Sequence, residues 1–201
     1  MNRRGFLLLL ALLGWNPALA APVSPLEVVR STSEQMLDRL RAERSLIEAE
    51  PARLYGLVED IVLPHFDFRR MAQWVLGKYW RRATPEERER FTSEFRTLLV
   101  RTYSTALLDY TDQEIHYLPL KLPEGASDAT VRTEVVQPGG PPIPIDYRMY
   151  WDGSEWKVYD VAINGVSLVT NYRSTFAAEI RQRGLDGLIA RLAERNRDGT
   201  L

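Results

Sequence analysis

The chain has no cysteine, only two histidines and a net charge of −1, and beyond its first twenty residues it has no long apolar run. Lack of cysteine excludes a disulfide scaffold, an iron–sulfur site, a thiolate zinc site and a cysteine nucleophile. The two histidines, His65 and His116, lie far apart and lack clustered carboxylates, so no metal site is expected. A near-neutral chain has no general basic face for phosphates, which argues against nucleic-acid binding. The sequence carries no Gly-x-Ser-x-Gly, no His-Glu-x-x-His and no phosphate-binding glycine loop. What is present is 201 residues, 45 % hydrophobic and 26 % charged: too apolar for disorder, and long enough for one well-buried core.

The first twenty residues read as an address. Asn2-Arg3-Arg4 is basic, Gly5 to Trp15 is almost wholly apolar, and Ala18-Leu19-Ala20 supplies the small residues that a signal peptidase reads. The apolar run falls short of the roughly 20 residues needed to span a bilayer. Residues 1–20 are therefore expected to be a cleaved export signal, with residues 21–201 forming a single domain. Loss of Arg3 and Arg4 takes the net charge to about −3. The expected location is a bacterial periplasm.

Along the remaining chain, Leu26, Val29, Met36, Leu37, Leu40 and Ile47 recur at helical spacing, predicting one amphipathic helix of about 20 residues. A second helix is expected from Pro51 to Pro64, and a third, capped by Asp67, carrying Met71, Trp74, Val75 and Leu76. Thr84-Pro85-Glu86-Glu87 is a capping box with proline at the first helical position. From it a stripe of Phe91, Phe95, Leu98, Leu99, Tyr103, Leu107 and Tyr110 predicts a helix of about 26 residues. Alternation then takes over at 113–118, 130–137, 145–151 and 155–163, with turns at Pro138–Pro142 and Asp152-Gly153 and a loop at 119–128. Helix returns at Asn171–Arg183, with Ser167 as a helix start, Gly184 as a C-terminal cap and Asp186 opening a last helix. The predicted fold is α+β: a helical layer on one face of an antiparallel sheet of about four strands.

Candidate catalytic groups are few. His65 stands two residues before Asp67, and Asp160 is a second conceivable base, so an exported enzyme on this scaffold is the alternative reading. No nucleophile motif accompanies either residue, and no catalytic residue is assigned. Arg69-Arg70 and Arg81-Arg82 could meet acidic lipid headgroups, although paired arginines commonly sit on solvated helix faces.

Three blocks carry a resemblance. They are Leu76-Gly77-Lys78-Tyr79-Trp80-Arg81-Arg82-Ala83-Thr84-Pro85-Glu86-Glu87-Arg88, Trp156-Lys157-Val158-Tyr159-Asp160-Val161 with Gly165-Val166-Ser167-Leu168-Val169 and Asn171-Tyr172-Arg173, and Gly184-Leu185-Asp186-Gly187-Leu188. Together they resemble the MlaC family, the periplasmic phospholipid-binding component of the Mla pathway, also called the toluene-tolerance auxiliary family. The resemblance implies a curved sheet that encloses, with its helices, a cavity for phospholipid acyl chains. It also implies a carrier that shuttles between an outer-membrane lipoprotein–porin complex and an inner-membrane ABC transporter, maintaining outer-membrane lipid asymmetry. No cofactor is expected other than the cargo, and a freely diffusing shuttle is expected to be a monomer.

On that reading the alternation points Ile145, Tyr147 and Met149 at the helices. On the last strand Tyr159, Val161 and Ile163 are chosen over Trp156 and Val158. From the long helix come Phe95, Leu99, Tyr103 and Leu107. Leu76, Tyr79 and Trp80 are expected to form a rim, and Val166, Leu168 and Val169 a pocket wall, with Val166 against the lipid as the resemblance implies.

Overall fold

A computed structural model describes residues 23–107, 113–136 and 139–198. The expected export signal, Tyr110, Gln137 and Pro138 lie outside the described residues.

Ser24 caps α1 (Pro25–Ala42), its Oγ accepting from the Glu27 N–H at 3.1 Å. The expected helix through Ile47 is interrupted: Glu43 leaves helical geometry and α2 (Arg44–Ala49) follows. No glycine or proline marks the bend. Its effect is to bring Ile47 into a cluster with Met36, Leu40, Leu54, Leu57, Val58 and Ile61, and that burial outweighs local propensity. Pro51 stands in the turn ahead of α3 (Arg53–Leu57), not inside the helix. A π-type turn, Val58–Val62, and a 3-10 turn, Leu63–His65, then complete this arm. Asp67 caps α4 (Phe68–Leu76), its Oδ1 accepting from the Arg70 N–H at 2.8 Å.

The capping box of α5 (Pro85–Ser104) is present, with Thr84 Oγ1 accepting from the Glu87 N–H and Glu87 Oε2 accepting from the Thr84 N–H. The described α5 is shorter than the stripe predicts and tightens into a 3-10 turn over Thr105–Leu107.

Five strands follow, not four: β1 (Glu114–Tyr117), β2 (Asp128–Val136), β3 (Ile143–Trp151), β4 (Trp156–Ile163) and β5 (Val166–Ser167). They lie in sequence order, all antiparallel, in an open curved sheet. The extra strand, β5, is too short for a periodicity signal. Asp152 Oδ1 closes the β3–β4 hairpin by accepting from the Ser154 and Glu155 N–H groups. In β4 the register jumps: Arg148 pairs with Asp160 and Met149 with Val158, so Tyr159 is an extra residue, a β-bulge.

Ser167 ends β5 and also caps α6 (Leu168–Asp198), its Oγ accepting from the Thr170 N–H at 3.1 Å. That helix starts earlier than Asn171. Gly184 breaks it with φ 74°, a conformation open to glycine, yet the helix resumes at once with no loop before Asp186.

The core has three parts. Helices α4, α5 and α6 pack around Phe91, Phe95, Met71, Leu188 and Ile189. The inner sheet face holds Val131, Met149, Trp156, Val158, Val161 and Leu168, with Val29 from α1. The α1–α3 arm forms the third part.

Candidate functional site

Residues directly opposite one another in an antiparallel pair project from the same face. The register therefore sets the rows of the inner face, and beyond the Trp151–Trp156 pair come three more. Ala129, Met149 and Val158 form one; Val131, Tyr147 and Val161 the next; Thr133, Ile145, Ile163 and Val166 the last. Along β3 and β4 exposure rises from row to row, whereas on β2 Val131 and Thr133 are both buried. Met149 is 0 % and Val158 2 % exposed, Ile145 and Ile163 are only half-buried, and Val166 is 56 % exposed. The part of the inner face made by β3, β4 and β5 is thus closed at one end and presents apolar surface at the other.

On the helical side, Tyr103 of α5, Tyr172 of α6 and Phe66 touch both the helical core and the inner sheet face. Burial pushes the Tyr103 hydroxyl up to about 12, with help from the neighbouring Tyr172 hydroxyl to which it is hydrogen-bonded. Burial likewise pushes Tyr147 up to about 12, while its hydrogen bond with Thr133 draws it back. Among the described residues the buried hydroxyls of Thr32 and Thr102 have no hydrogen-bond partner, a situation that costs about 1–3 kcal/mol each.

The expected site residues divide between these surroundings. Ile145, Tyr147, Met149, Val161, Ile163 and Leu168 lie on the inner face, and Val166 extends it. Leu76, Trp80, Phe95, Leu99 and Val169 are instead buried where helix meets helix, with Tyr79 at the margin. Phe95 is stacked on Phe91 and edge-on to Tyr172 and Phe176. Leu107 packs on the α1–α3 cluster. Tyr159 needs correction. Its bulge turns it from the inner face to the far one, where it meets Trp74 and Tyr150. The same bulge puts Trp156 and Val158 on the inner face beside Val161 and Ile163, so the two pairs share one face and are not alternatives. Sequence reasoning also missed Tyr172 and Phe66, the first at helical spacing from Phe176 and so open to detection.

The groups that favoured an enzyme are already engaged. Asp160 is 2 % exposed; it accepts from Ser167 Oγ at 2.7 Å and from the Val169 N–H at 3.1 Å, and lies 3.5 Å from Arg148. It is a helix cap. Asp67 accepts from the Arg70 N–H and from the Tyr150 hydroxyl, and makes no bond to His65. Burial and nearby Lys157 lower the His65 pKa, opposed by Glu155. His116 lies 3.5 Å from Glu114 on the exposed edge strand. Among the described residues no His, Cys, Asp or Glu cluster could hold a metal, and no helix is long and apolar enough to cross a membrane.

Known proteins match along the same length. The family described as "MlaC protein" matches residues 30–194. The toluene tolerance protein ttg2D of Pseudomonas putida is 33 % identical over 186 residues, 92 % of this chain and 85 % of that protein. The intermembrane phospholipid transport system binding protein MlaC of Haemophilus influenzae is 26 % identical over 177 residues, 87 % of this chain and 83 % of its own. A phospholipid-binding protein from Ralstonia solanacearum, solved in complex with a phospholipid, superposes with a TM-score of 0.82 at 31 % identity; 89 % of this chain and all of that one are covered. From its capped helices to the bend at Gly184, this chain belongs to the MlaC family.

Proposed function

We propose that this protein is a phospholipid carrier that takes acyl chains between its inner sheet face and its helices. The observation that carries this reading is the Ralstonia solanacearum protein, which has the same fold over nearly the whole chain and was solved with a phospholipid bound. The graded exposure of the inner face supports it: Ile145, Ile163 and Val166 offer apolar surface at the open end. Each buried methylene contributes about 0.8 kcal/mol, so two chains of roughly 16 carbons would cost on the order of 20 kcal/mol to leave in water. A carrier must therefore wrap the chains and can leave the headgroup wet. Transfer of this kind makes and breaks no covalent bond, which fits the engagement of Asp160 and Asp67 in caps.

The wider reading follows the family. The chain is exported to the periplasm by a cleaved signal over residues 1–20. There it works as a monomer, shuttling lipid between an outer-membrane lipoprotein–porin complex and an inner-membrane ABC transporter. In this way it maintains outer-membrane lipid asymmetry. The Haemophilus influenzae relative, an intermembrane phospholipid transport system binding protein, supports transport between membranes. A carrier alone only equilibrates, so direction comes from the partners' relative affinities. Organic extraction of the purified protein followed by mass spectrometry tests the central claim. Phospholipid in stoichiometric amount is expected; protein that purifies and folds without lipid, and takes none from micelles, would refute it.

A further inference from the structure

The far side of the molecule carries a second feature that the carrier reading does not use. Residues 68–85 contain five cations, Arg69, Arg70, Lys78, Arg81 and Arg82, and no carboxylate, in a chain whose net charge is −1. The charge of one sign is therefore gathered locally. On the outward face of α4, Asp67, Arg69, Arg70, Gln73 and Trp74 surround a recess of about 330 Å³.

The arginines here are held by aromatic faces instead of by acids. Arg70 lies 3.7 Å from the Tyr150 ring centroid and 5.2 Å from that of Tyr159. Arg69 lies 5.5 Å from the Trp80 ring, and Arg88 5.4 Å from the same ring. Arg173 of α6 lies against Gly77, at the end of the same face, where a Cβ would stand 3.2 Å from its Nη2. Among the described residues none of Arg69, Arg70 and Arg173 forms an ion pair. The one nearby carboxylate, Asp67, is taken up by the Arg70 N–H and the Tyr150 hydroxyl. A guanidinium lying on a ring keeps N–H groups for other partners, one of those of Arg70 going to the Tyr150 hydroxyl, and that planar fork matches the oxygens of a phosphate. Beside them Trp74 is 49 % exposed and rests on Tyr159 with ring centroids 6.0 Å apart. A half-exposed indole among cations is the composition that settles at a bilayer's headgroup level.

We propose that this face docks on the surface of an anionic phospholipid bilayer, with Arg69, Arg70 and Arg173 on headgroup phosphates and Trp74 at the interfacial layer. The face is separate from the inner-face rows, so it can be tested apart from the cargo. The experiment is flotation of the purified protein with vesicles of phosphatidylcholine alone, or of phosphatidylcholine and phosphatidylglycerol in equal parts, at low and high salt. Binding is expected only to the anionic vesicles and weakens with salt. The double variant Arg69→Gln, Arg173→Gln should bind roughly thirtyfold more weakly, and Trp74→Ala should also weaken binding. In both, the co-purifying lipid should stay that of the parent, and in the double variant the melting temperature should too, while Trp74→Ala lowers it by a few degrees through the lost contact with Tyr159. Failure of the parent to float with anionic vesicles at low salt would overturn the proposal, as would parent-like binding by the double variant. A photoreactive residue in place of Trp74 that crosslinks in cells to protein and not to lipid would overturn it too, giving the face to an acidic protein partner.

Discussion

Val166 shows how one side chain can separate fold from cargo. It pairs with Ile163, which pairs with Ile145, yet it is 56 % exposed and supports no core cluster. Val166→Glu therefore adds a charge that water solvates while the site is open. Once acyl chains cover the position, the carboxylate must lose that water, at several kcal/mol. The expected result is a melting curve within about 0.5 kcal/mol of the parent and a lipid content reduced by more than tenfold, read by mass spectrometry of extracts. Normal lipid content would remove Val166 from the site. The place of Val166 beside the inner face is what its sequence block implies, whereas the role of Asp160 is not legible in the sequence. A buried carboxylate reads from sequence as a candidate base; only the positions of Ser167 Oγ and the Val169 N–H show that it is a cap.

Elements were most legible where short-range chemistry decides them. The caps at Asp67 and Thr84 and the Asp152-Gly153 hairpin each depend on a few adjacent residues, and each is where the sequence puts it. The bend at Glu43, the strand β5 and the bulge at Tyr159 depend on contacts distant in the chain, so no local pattern announces them. The bulge matters most for the site. A strict period of two cannot put Trp156, Val158, Val161 and Ile163 on one face; one inserted residue can. Deleting Tyr159 would restore regular alternation and, with the extra residue gone, keep Trp156, Val158, Val161 and Ile163 on one face. The expected consequence is retained cooperative unfolding, measured by near-ultraviolet circular dichroism and urea titration, with a loss of about 1–3 kcal/mol from the missing ring contacts with Trp74 and Tyr150. A deletion variant that loses cooperative unfolding would mean that the bulge does more than set which residues share the inner face.

For the molecule as a whole, the two raised tyrosines link stability to alkaline pH. Tyr103 and Tyr147 are pushed from 10.0 to about 12, chiefly by burial, so the fold favours their neutral forms. A folded value above the unfolded one gives stability that is complete below the unfolded value and is lost as pH rises through the folded value. Urea midpoints should therefore hold up to about pH 10 and fall between about 10 and 12. The Tyr147→Phe variant should fall less steeply. If parent and variant decline in parallel, Tyr147 is not the source of the loss. The sheet's two borders have a different consequence. One ends in four residues, Glu114–Tyr117, and the other in two, Val166–Ser167, while the strands between them run to eight or nine. A vessel ferrying grease through a crowded compartment would stick to its own kind if it bared a full-length rim of unpaired amides. With such stunted margins another copy finds few rungs to grip, which favours the single, unassociated carrier proposed above.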